Sequence, residues 1–283
     1  MSLAITGATG QLGRLVIEQL KRIAPDASVI ALARDPAKAA DLGVTTRHFD
    51  YADKDSLAPA LQGVKGLLLI SSNALGERVE QHARVIEAAQ QAGVAHIAYT
   101  SLLRADTTPL EIGPEHLETE KLIKASGIAY TILRNGWYTE NYAMRIPGAV
   151  EHGAFVGSAG DGRISSAARV DYALAAAVVL TGDGHHHRTY ELAGDTAFTL
   201  ADLAAELTRQ TGKPIPYTNL PEADYADALL KAGLPPHWAH VIASFDTGTL
   251  EGALFDEGRE LSALLGRPTT PMPETVAQVL RNA

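Results

Sequence analysis

The chain has 283 residues and no cysteine, which excludes disulfide bonds, thiolate nucleophiles and sulfur-ligated metals. Its content of 46% hydrophobic and 20% charged residues is typical of a folded globular protein, and its formal charge of −9, without clustered lysine or arginine, argues against nucleic-acid binding. The N-terminus lacks a signal-peptide pattern, and no apolar run nears the roughly 20 residues that cross a bilayer, so we expect a cytoplasmic protein without a membrane span.

Short β-rich runs alternate with helical patterns up to about residue 134. The predicted strands are residues 3–6, 28–33, 45–49, 66–71, 96–101 and 129–133. Between them, apolar residues spaced three and four apart predict helices at residues 11–22, 54–61, 78–92 and 115–125. This alternation predicts an α/β Rossmann fold, a doubly wound parallel sheet with helices on its faces.

The pattern becomes mixed after residue 134. A glycine-rich stretch is followed by a predicted helix at 169–180, a strand at 189–193, and helices at 200–211 and 225–232. We therefore predict a Rossmann domain at residues 1–134 and a smaller substrate-binding region at residues 135–283, with some segments of the latter returning to the first domain. The sequence is also compatible with a homo-oligomer.

The strongest motif is the run Gly7-Ala8-Thr9-Gly10-Gln11-Leu12-Gly13, directly after the first strand and at the start of the first helix. In a dinucleotide-binding turn, the first glycine permits the tight turn, the second lets the backbone approach the pyrophosphate, and the third lets helix pack on strand. The alternative is a strand-to-helix turn whose glycines serve packing only. The N-terminal position and the strands that follow favour dinucleotide binding.

The residue just after the second strand decides between NAD and NADP. An acid there would bind the ribose hydroxyl of NAD, whereas this chain has Arg34, whose planar guanidinium suits the 2′-phosphate of NADP. Lys38 is a second candidate for that phosphate. Asp35 would repel the phosphate if it faced inward, or it could cap a helix that begins near Pro36. Arg34 could also be an ordinary solvated arginine, but the pattern favours NADPH.

Two further segments end strands at the same edge of the sheet. Ser71, Ser72 and Asn73 follow the fourth strand, where ligands of open α/β folds bind, and we expect them to contact the cofactor. Asp50 follows the third strand and either accepts from the adenine amino group or starts a helix.

Five segments occur in a characteristic order along the chain: TGATGQLG, LLLISSNALGERVEQH, HIAYTSLLRADTTPL, EHLETEKLI and YTILRNGWYTENY. Together they resemble one family, the NmrA-like atypical short-chain dehydrogenases, and within it the bacterial NADPH:quinone oxidoreductases of type 2. The resemblance to triphenylmethane reductases is more distant. The resemblance implies a cleft between two lobes, with NADPH contacted by Gly7, Ala8, Thr9, Gly10, Gln11, Leu12, Arg34, Ser71, Ser72, Asn73, Asn135, Gly136, Trp137, Tyr138, Thr139, Glu140 and Asn141.

The tyrosine acid of ordinary short-chain dehydrogenases is missing. That tyrosine lies four residues before a lysine on one helix face, but Leu117 occupies the position four before Lys121, and His116 is rotated about 100° away. Reduction of a ketone leaves a strongly basic alkoxide that needs a proton donor. A quinone leaves a phenolate, whose conjugate acid has a pKa of about 10, so water can protonate it. The missing tyrosine favours a quinone.

Candidate catalytic residues are therefore few. Lys121 either binds the nicotinamide ribose or is a solvated helix lysine, and Asn141 could donate to a quinone oxygen. His116 is more typical of a surface or capping residue than of an acid. Residues that could stack on or bind the acceptor, or else pack in the core, are Trp137, Tyr138, Asn141 and Tyr142.

Two polar groups have ordinary structural explanations. Thr100 and Ser101 end the fifth strand, where a hydroxyl could approach a substrate carbonyl or simply bond within the fold. His185, His186 and His187 lack acidic companions at ligand spacing, so we expect an exposed loop and no metal site.

Together these features predict an enzyme that transfers hydride from NADPH to a quinone. Two alternatives remain: an NADP(H)-sensing regulator without catalysis, and a reductase of another planar acceptor such as a dye.

Overall fold

A seven-stranded parallel sheet forms the centre of the computed structural model, which describes residues 1–282. Across the sheet the order is β3-β2-β1-β4-β5-β6-β8, and β7 and β9 form a separate parallel pair. In chain order the strands are β1 Ser2–Ile5, β2 Ser28–Ala33, β3 Thr45–His48, β4 Gly66–Leu69, β5 His96–Leu102, β6 Ala129–Asn135, β7 Phe155–Gly157, β8 Arg188–Leu192 and β9 Tyr217–Asn219. The predicted α/β Rossmann fold is confirmed.

Helices cover both faces of the sheet and build a second lobe beyond it. They are α1 Gln11–Ile23, α2 Lys54–Ala60, α3 Arg78–Gln91, α4 Gly113–Ala125, α5 Glu140–Ala143, α6 Ile146–His152, α7 Arg169–Thr181, α8 Leu200–Thr211, α9 Glu222–Lys231, α10 Pro236–Leu250, α11 Glu260–Leu265 and α12 Met272–Asn282, and a 3₁₀ helix spans Pro36–Leu42. No helix within residues 1–282 is long and apolar enough to span a bilayer.

The two faces of the sheet have separate cores. On one face, α1 buries Val16, Ile17 and Leu20 against the sheet, and the almost wholly apolar α7 packs beside it. On the other face, α2, α3 and α4 cover β4 and β5, which are buried along their whole lengths. This explains why the sequences of the central strands are continuous apolar runs, as is typical of strands that are covered on both faces.

After α5, α6 and β7, which belong to the second lobe, the chain returns to the main sheet through α7 and β8. Strand β8 pairs in parallel with β6, with Leu133 opposite Tyr190. The second lobe, built mainly from α5, α6, α8 to α10, α12 and the β7/β9 pair, has its own apolar cores. The division at residue 134 stays a prediction.

The strand order reverses at β1, which lies between β2 and β4. In doubly wound sheets, the crevice outside the carboxyl ends of the strands at such a switch point is the usual ligand site. The glycine-rich turn after β1 and the loop after β4 meet there, so the topology places the predicted motifs side by side.

Candidate functional site

The glycine turn after β1 has the geometry that a dinucleotide loop requires. Gly7 adopts a φ of +57°, which favours glycine. A Cβ on Gly13 would lie 2.4 Å from the Gly7 carbonyl oxygen, so only glycine lets α1 pack this closely on the turn. Gly10 ends the turn and leaves the first amides of α1 without a side-chain cap, as a helix that receives an anion does.

A cleft of about 640 Å³ opens over this turn, and we call it the glycine-loop cleft. Arg34 is exposed at its rim, and its carbonyl accepts a hydrogen bond from Nδ1 of His48 at 2.8 Å. Asp35 caps the 3₁₀ helix by accepting from the Ala37 amide at 3.1 Å. Its carboxylate is therefore engaged at the start of the helix and not with a phosphate bound at Arg34. Lys38 is exposed but does not line the cleft.

Asp50 does not take the helix-start role considered for it. It lines the glycine-loop cleft, and one of its carboxylate oxygens accepts from the Ala52 amide at 3.0 Å. The other oxygen can still meet a ligand, while the helix start itself is capped by Asp53.

The loop after β4 is held in place from beneath by buried polar groups. The Ser71 amide donates to Thr100 Oγ1 at 2.9 Å, and the Ser72 amide donates to His82 Nε2 at 2.9 Å. His82 Nδ1 in turn donates to Thr119 Oγ1 at 3.0 Å. His82 is therefore a neutral imidazole with a defined tautomer, and its burial lowers its pKa to about 3. Thr100 acts here as a structural acceptor.

A smaller cavity of about 190 Å³ shares this loop with the glycine-loop cleft, and we call it the inner cavity. Its lining includes Ser71, Ser72, Asn73, Arg78, Thr100, Ser101, His116, Asn135, Gly136, Trp137, Tyr138 and Asn141. Asn135 Oδ1 is buried without a hydrogen-bond partner among the described residues, which is a costly arrangement that a bound donor would relieve.

Two buried pairs on one wall of the inner cavity escaped sequence analysis. Arg78 forms an ion pair with Glu115 at 2.9 Å and donates from Nε to the Ser72 carbonyl at 2.6 Å. Tyr99 lies with its hydroxyl 2.8 Å from His116 Nδ1. Burial, followed by the positive charge of Arg78, lowers the pKa of His116 to about 3. The only early signal was that Arg78 begins a helix next to the predicted cofactor loop.

Ser101 cannot act as a hydrogen-bond donor to a substrate carbonyl in this structure. Its hydroxyl donates to Glu120 Oε1 at 2.6 Å. Glu120 is fully buried and forms a bidentate pair with Arg134, with N–O distances of 2.8 and 2.9 Å. The guanidinium holds the carboxylate ionised, which fixes the serine proton on it. The inner cavity therefore receives only acceptor lone pairs from Ser101.

A third cavity, of about 530 Å³, lies in the second lobe and shares Trp137 and Asn141 with the inner cavity. We call it the apolar cavity, because its lining is mainly aromatic and aliphatic: Trp137, Tyr142, Met144, Leu229, Leu234, Pro235, Trp238, Ile242, Phe245 and Leu254. Asn141 Oδ1 accepts from Arg169 at 3.2 Å, so its Nδ2 amide remains as a donor where the two cavities meet. Asn141 and Trp137 therefore line both cavities.

The predicted site residues are only partly brought together. Gly7, Thr9, Gly10, Arg34, Ser71, Ser72 and Asn73 line the glycine-loop cleft, and Asn135, Gly136, Trp137, Tyr138 and Asn141 line the inner cavity. Ala8, Gln11, Leu12, Thr139 and Glu140 line neither. Glu140 accepts from the first amide of α7, at Arg169, and the Thr139 hydroxyl lies 2.8 Å from that of Ser166, so both connect the start of α5 to the segment that leads into α7.

Lys121 lies away from these cavities. Its side chain is 60% exposed and pairs with Glu118 at 2.6 Å on the outer face of α4. The inward face of the same helix carries His116 and Glu120 instead. The structure therefore does not bring Lys121 to the other predicted site residues.

The three consecutive histidines lie just before β8. His185 Nδ1 is 2.8 Å from the Tyr190 hydroxyl, and the ring centroid of His186 is 4.6 Å from that of His96. Within residues 1–282, no group of three or more His, Asp or Glu is arranged to hold a metal ion.

An open parallel sheet, a glycine turn after its first strand and a cleft at the switch point define a dinucleotide-binding Rossmann protein. The chain belongs to the NAD(P)H-binding family, whose pattern matches residues 7–181. This finding confirms the family suggested by the glycine motif.

The relatives support the more specific resemblance. Quinone oxidoreductase 2 of Escherichia coli is 55% identical over 98% of both chains, and its crystal structure in complex with NADPH superposes with a TM-score of 0.95, covering 98% of this chain and 99% of that one. The Citrobacter triphenylmethane reductase complexed with NADP(H) is 38% identical, with a TM-score of 0.94 and coverage of 98% and 99%. An NmrA-like oxidoreductase of Aspergillus flavus is 29% identical over 99% of this chain and 95% of its own.

Proposed function

We propose that this protein is an NADPH-dependent quinone reductase. The observation that carries the proposal is the succession of three neighbouring cavities, from a dinucleotide site to a pocket for a flat apolar ring. The glycine-loop cleft shares Ser71, Ser72 and Asn73 with the inner cavity, and the inner cavity shares Trp137 and Asn141 with the apolar cavity. The likeness to quinone oxidoreductase 2 over nearly the whole chain supports the same activity.

The residues present fit NADPH. The first amides of α1 and the glycine turn suit the pyrophosphate, and the exposed guanidinium of Arg34 suits the 2′-phosphate. The buried, unpartnered Asn135 Oδ1 in the inner cavity suits an amide donor such as the nicotinamide carboxamide. NADPH supplies a hydride when it is bound, and the protein's contribution is to hold donor and acceptor in reacting geometry.

The groups around the inner cavity favour a quinone over a ketone. The hydroxyl proton of Ser101 is committed to Glu120, and the tyrosine of ordinary short-chain dehydrogenases has no equivalent on α4. The Asn141 amide can donate a hydrogen bond but cannot protonate an alkoxide. A quinone needs only that hydrogen bond, because its product is a phenolate that water can protonate.

We infer that the protein acts in the cytoplasm, since a chain without cysteine is suited to a reducing compartment. A homo-oligomer is compatible with this function, because one chain supplies the lining of all three cavities.

The experiment is a steady-state assay with purified protein, either NADPH or NADH, and 1,4-benzoquinone or 1,4-naphthoquinone as acceptor. We expect quinone-dependent oxidation of NADPH that is faster than that of NADH. A triarylmethane dye serves as the competing acceptor, because the dye reductase has the same fold. A higher kcat/KM for the dye would change the acceptor class, and tight NADPH binding without turnover of any acceptor would support a regulator instead.

A further inference from the structure

Helix α4 does not direct toward the inner cavity the position that holds the tyrosine in ordinary short-chain dehydrogenases. The helix buries Gly113, His116 and Glu120, which are spaced three and four apart and so form one face. Leu117 and Lys121, the positions that correspond to the usual tyrosine and lysine, lie off this face. His116 is therefore the side chain that α4 presents to the inner cavity.

The hydrogen bond between Tyr99 and His116 couples the direction of the hydroxyl to the tautomer of the ring. The hydroxyl of Tyr99 lies 2.8 Å from His116 Nδ1, and Tyr99 is fully buried. Burial raises the pKa of the Tyr99 hydroxyl, so the phenol stays protonated and can donate a hydrogen bond to Nδ1. When the phenol donates, the other nitrogen of the neutral imidazole carries the hydrogen. In that arrangement His116 offers an Nε2–H donor on the side away from Tyr99.

We propose that His116 is a catalytic hydrogen-bond donor, a neutral imidazole whose Nε2–H binds the acceptor oxygen in the inner cavity, with Tyr99 as the positioning residue that fixes its tautomer. This inference rests on the proposed quinone reductase function. In this proposal His116, one position before Leu117 on the same helix, takes the role that the missing tyrosine has in ordinary short-chain dehydrogenases.

The chemistry requires no proton from the histidine. Hydride transfer from NADPH would give the quinone two electrons and one hydrogen and leave NADP⁺, so the product is a hydroquinone monoanion with one phenolate oxygen. Nε2–H stabilises that negative charge by a hydrogen bond, and water later supplies the proton that completes the hydroquinone. A neutral imidazole is a much weaker acid than a phenol, so it keeps its hydrogen throughout, as neutral histidines that polarise carbonyl groups do. Burial beside Arg78 keeps His116 neutral at the pH of the reaction.

The test compares kcat for a series of substituted 1,4-benzoquinones in three variants. In the double variant His116→Leu/Tyr99→Phe, which leaves no unpaired hydroxyl, kcat should fall by about tenfold to a hundredfold, somewhat less than the loss of an oxyanion donor in acyl transfer. His116→Gln keeps an N–H donor near the position of Nε2 and should recover part of the rate. Glu118→Gln, exposed on the same helix, is the matched control and should behave as wild type.

Two readouts separate catalysis from structure. The loss in the double variant should grow as the product phenolate becomes more basic, because the hydrogen bond then stabilises more charge. The dissociation constant for NADPH should stay unchanged. A loss that is equal for all quinones, or a weaker NADPH complex with unchanged kcat, would overturn the proposal.

The tautomer is measured without any acceptor. The ¹⁵N chemical shifts of the His116 ring in wild-type protein at pH 7 should show the hydrogen on Nε2, and Tyr99→Phe should give a mixture of tautomers. A hydrogen on Nδ1 in wild type would refute the assignment even if quinone turnover is fast. Absence of turnover with every quinone would instead reject the proposed function while the tautomer result stands.

Discussion

The glycine-loop cleft and the apolar cavity are built in different ways. The cleft is formed by backbone and by short contiguous segments at the ends of β1, β2, β3 and β4. Its shape depends on the glycine turn, where Gly7 has a positive φ and a Cβ on Gly13 would lie 2.4 Å from the Gly7 carbonyl oxygen. The apolar cavity is formed by side chains from residues 137–254, mainly of α5, α9 and α10 and the segments beside them, which come together only in the folded second lobe. A single backbone change should therefore disable the cleft, whereas single changes in the cavity should have graded effects.

The largest effect is expected from Gly10→Val. A Cβ at this position would already lie 3.2 Å from the Gly7 carbonyl oxygen, and the branched side chain would fill the space for the pyrophosphate. Binding of NADPH and of NADH should both weaken by about a hundredfold or more, which is roughly 3 kcal/mol. Isothermal titration calorimetry measures both.

Gly148→Val is the control for that change, because a Cβ there meets nothing within 4 Å. It should leave cofactor binding unchanged. If Gly10→Val folds and still binds NADPH tightly, the cleft does not depend on its backbone in the way described.

Arg34→Ala tests the one side chain on which the cleft depends for selectivity. A charge-assisted hydrogen bond contributes about 1.5 to 3 kcal/mol, so NADPH affinity should fall by about tenfold to a hundredfold while NADH affinity changes little. The control Arg22→Ala removes an arginine that pairs with Gln19 on α1 and should have no such effect. Equal losses for both dinucleotides would remove the phosphate role from Arg34.

Acid should lower the stability of the protein, because two histidines near the inner cavity are buried in their neutral form. Burial lowers the pKa of His82 and His116 to about 3 in the folded state, against about 6.5 in an unfolded chain. The unfolded state binds more protons between these values, so stability is fully present above pH 6.5 and falls as the pH drops toward 3. At pH 5, each of the two histidines should reduce the unfolding free energy by about 2 kcal/mol relative to pH 7.5.

Urea denaturation at pH 7.5 and pH 5 measures that loss. The double variant His116→Leu/Tyr99→Phe should lose about 2 kcal/mol less than wild type over this interval, because one of the titrating groups is gone. An identical loss in both proteins would show that His116 is not held neutral by the fold.

The smallest effect is expected from Trp238→Ala at the mouth of the apolar cavity. Trp238 lines the cavity but remains 42% exposed, so its contribution to a bound ring is partial. The KM for a naphthoquinone should rise by about threefold, with kcat nearly unchanged. His240→Ala, exposed on the same helix, should leave the KM as it is. A loss as large as that of Gly10→Val would contradict the contrast between the two regions.

The Rossmann half was predictable because its signals are local. Strand β2 has the bounds that the sequence predicts, α1 ends one residue later than predicted, and β1 is shifted by one residue. Apolar period, helix stops and the glycine spacing each act within a few residues, and the parallel sheet then places the strand ends together. The same reasoning located Arg34 at the rim of the cleft.

The wall of the inner cavity could not be predicted in this way. Arg78 and Glu115 are 37 positions apart, and Tyr99 and His116 are 17 apart, so only the packing of α3, α4 and β5 brings the partners within hydrogen-bond distance. Lys121 is the opposite case, a residue that the sequence predicts at the site and that the tertiary structure leaves outside it. Its spacing resembles that of a catalytic lysine, but the rotation of α4 leaves it exposed.

The sequence by itself determined the fold class, the dinucleotide turn and the absence of a tyrosine four residues before Lys121, because these follow from residue types at fixed short spacings. The tertiary structure alone decided which face of α4 meets the cavity, that Ser101 donates to Glu120, and that the apolar cavity shares Trp137 and Asn141 with the inner cavity. The physical reason is that hydrogen-bond direction and burial depend on partners distant in the chain, which no local pattern specifies.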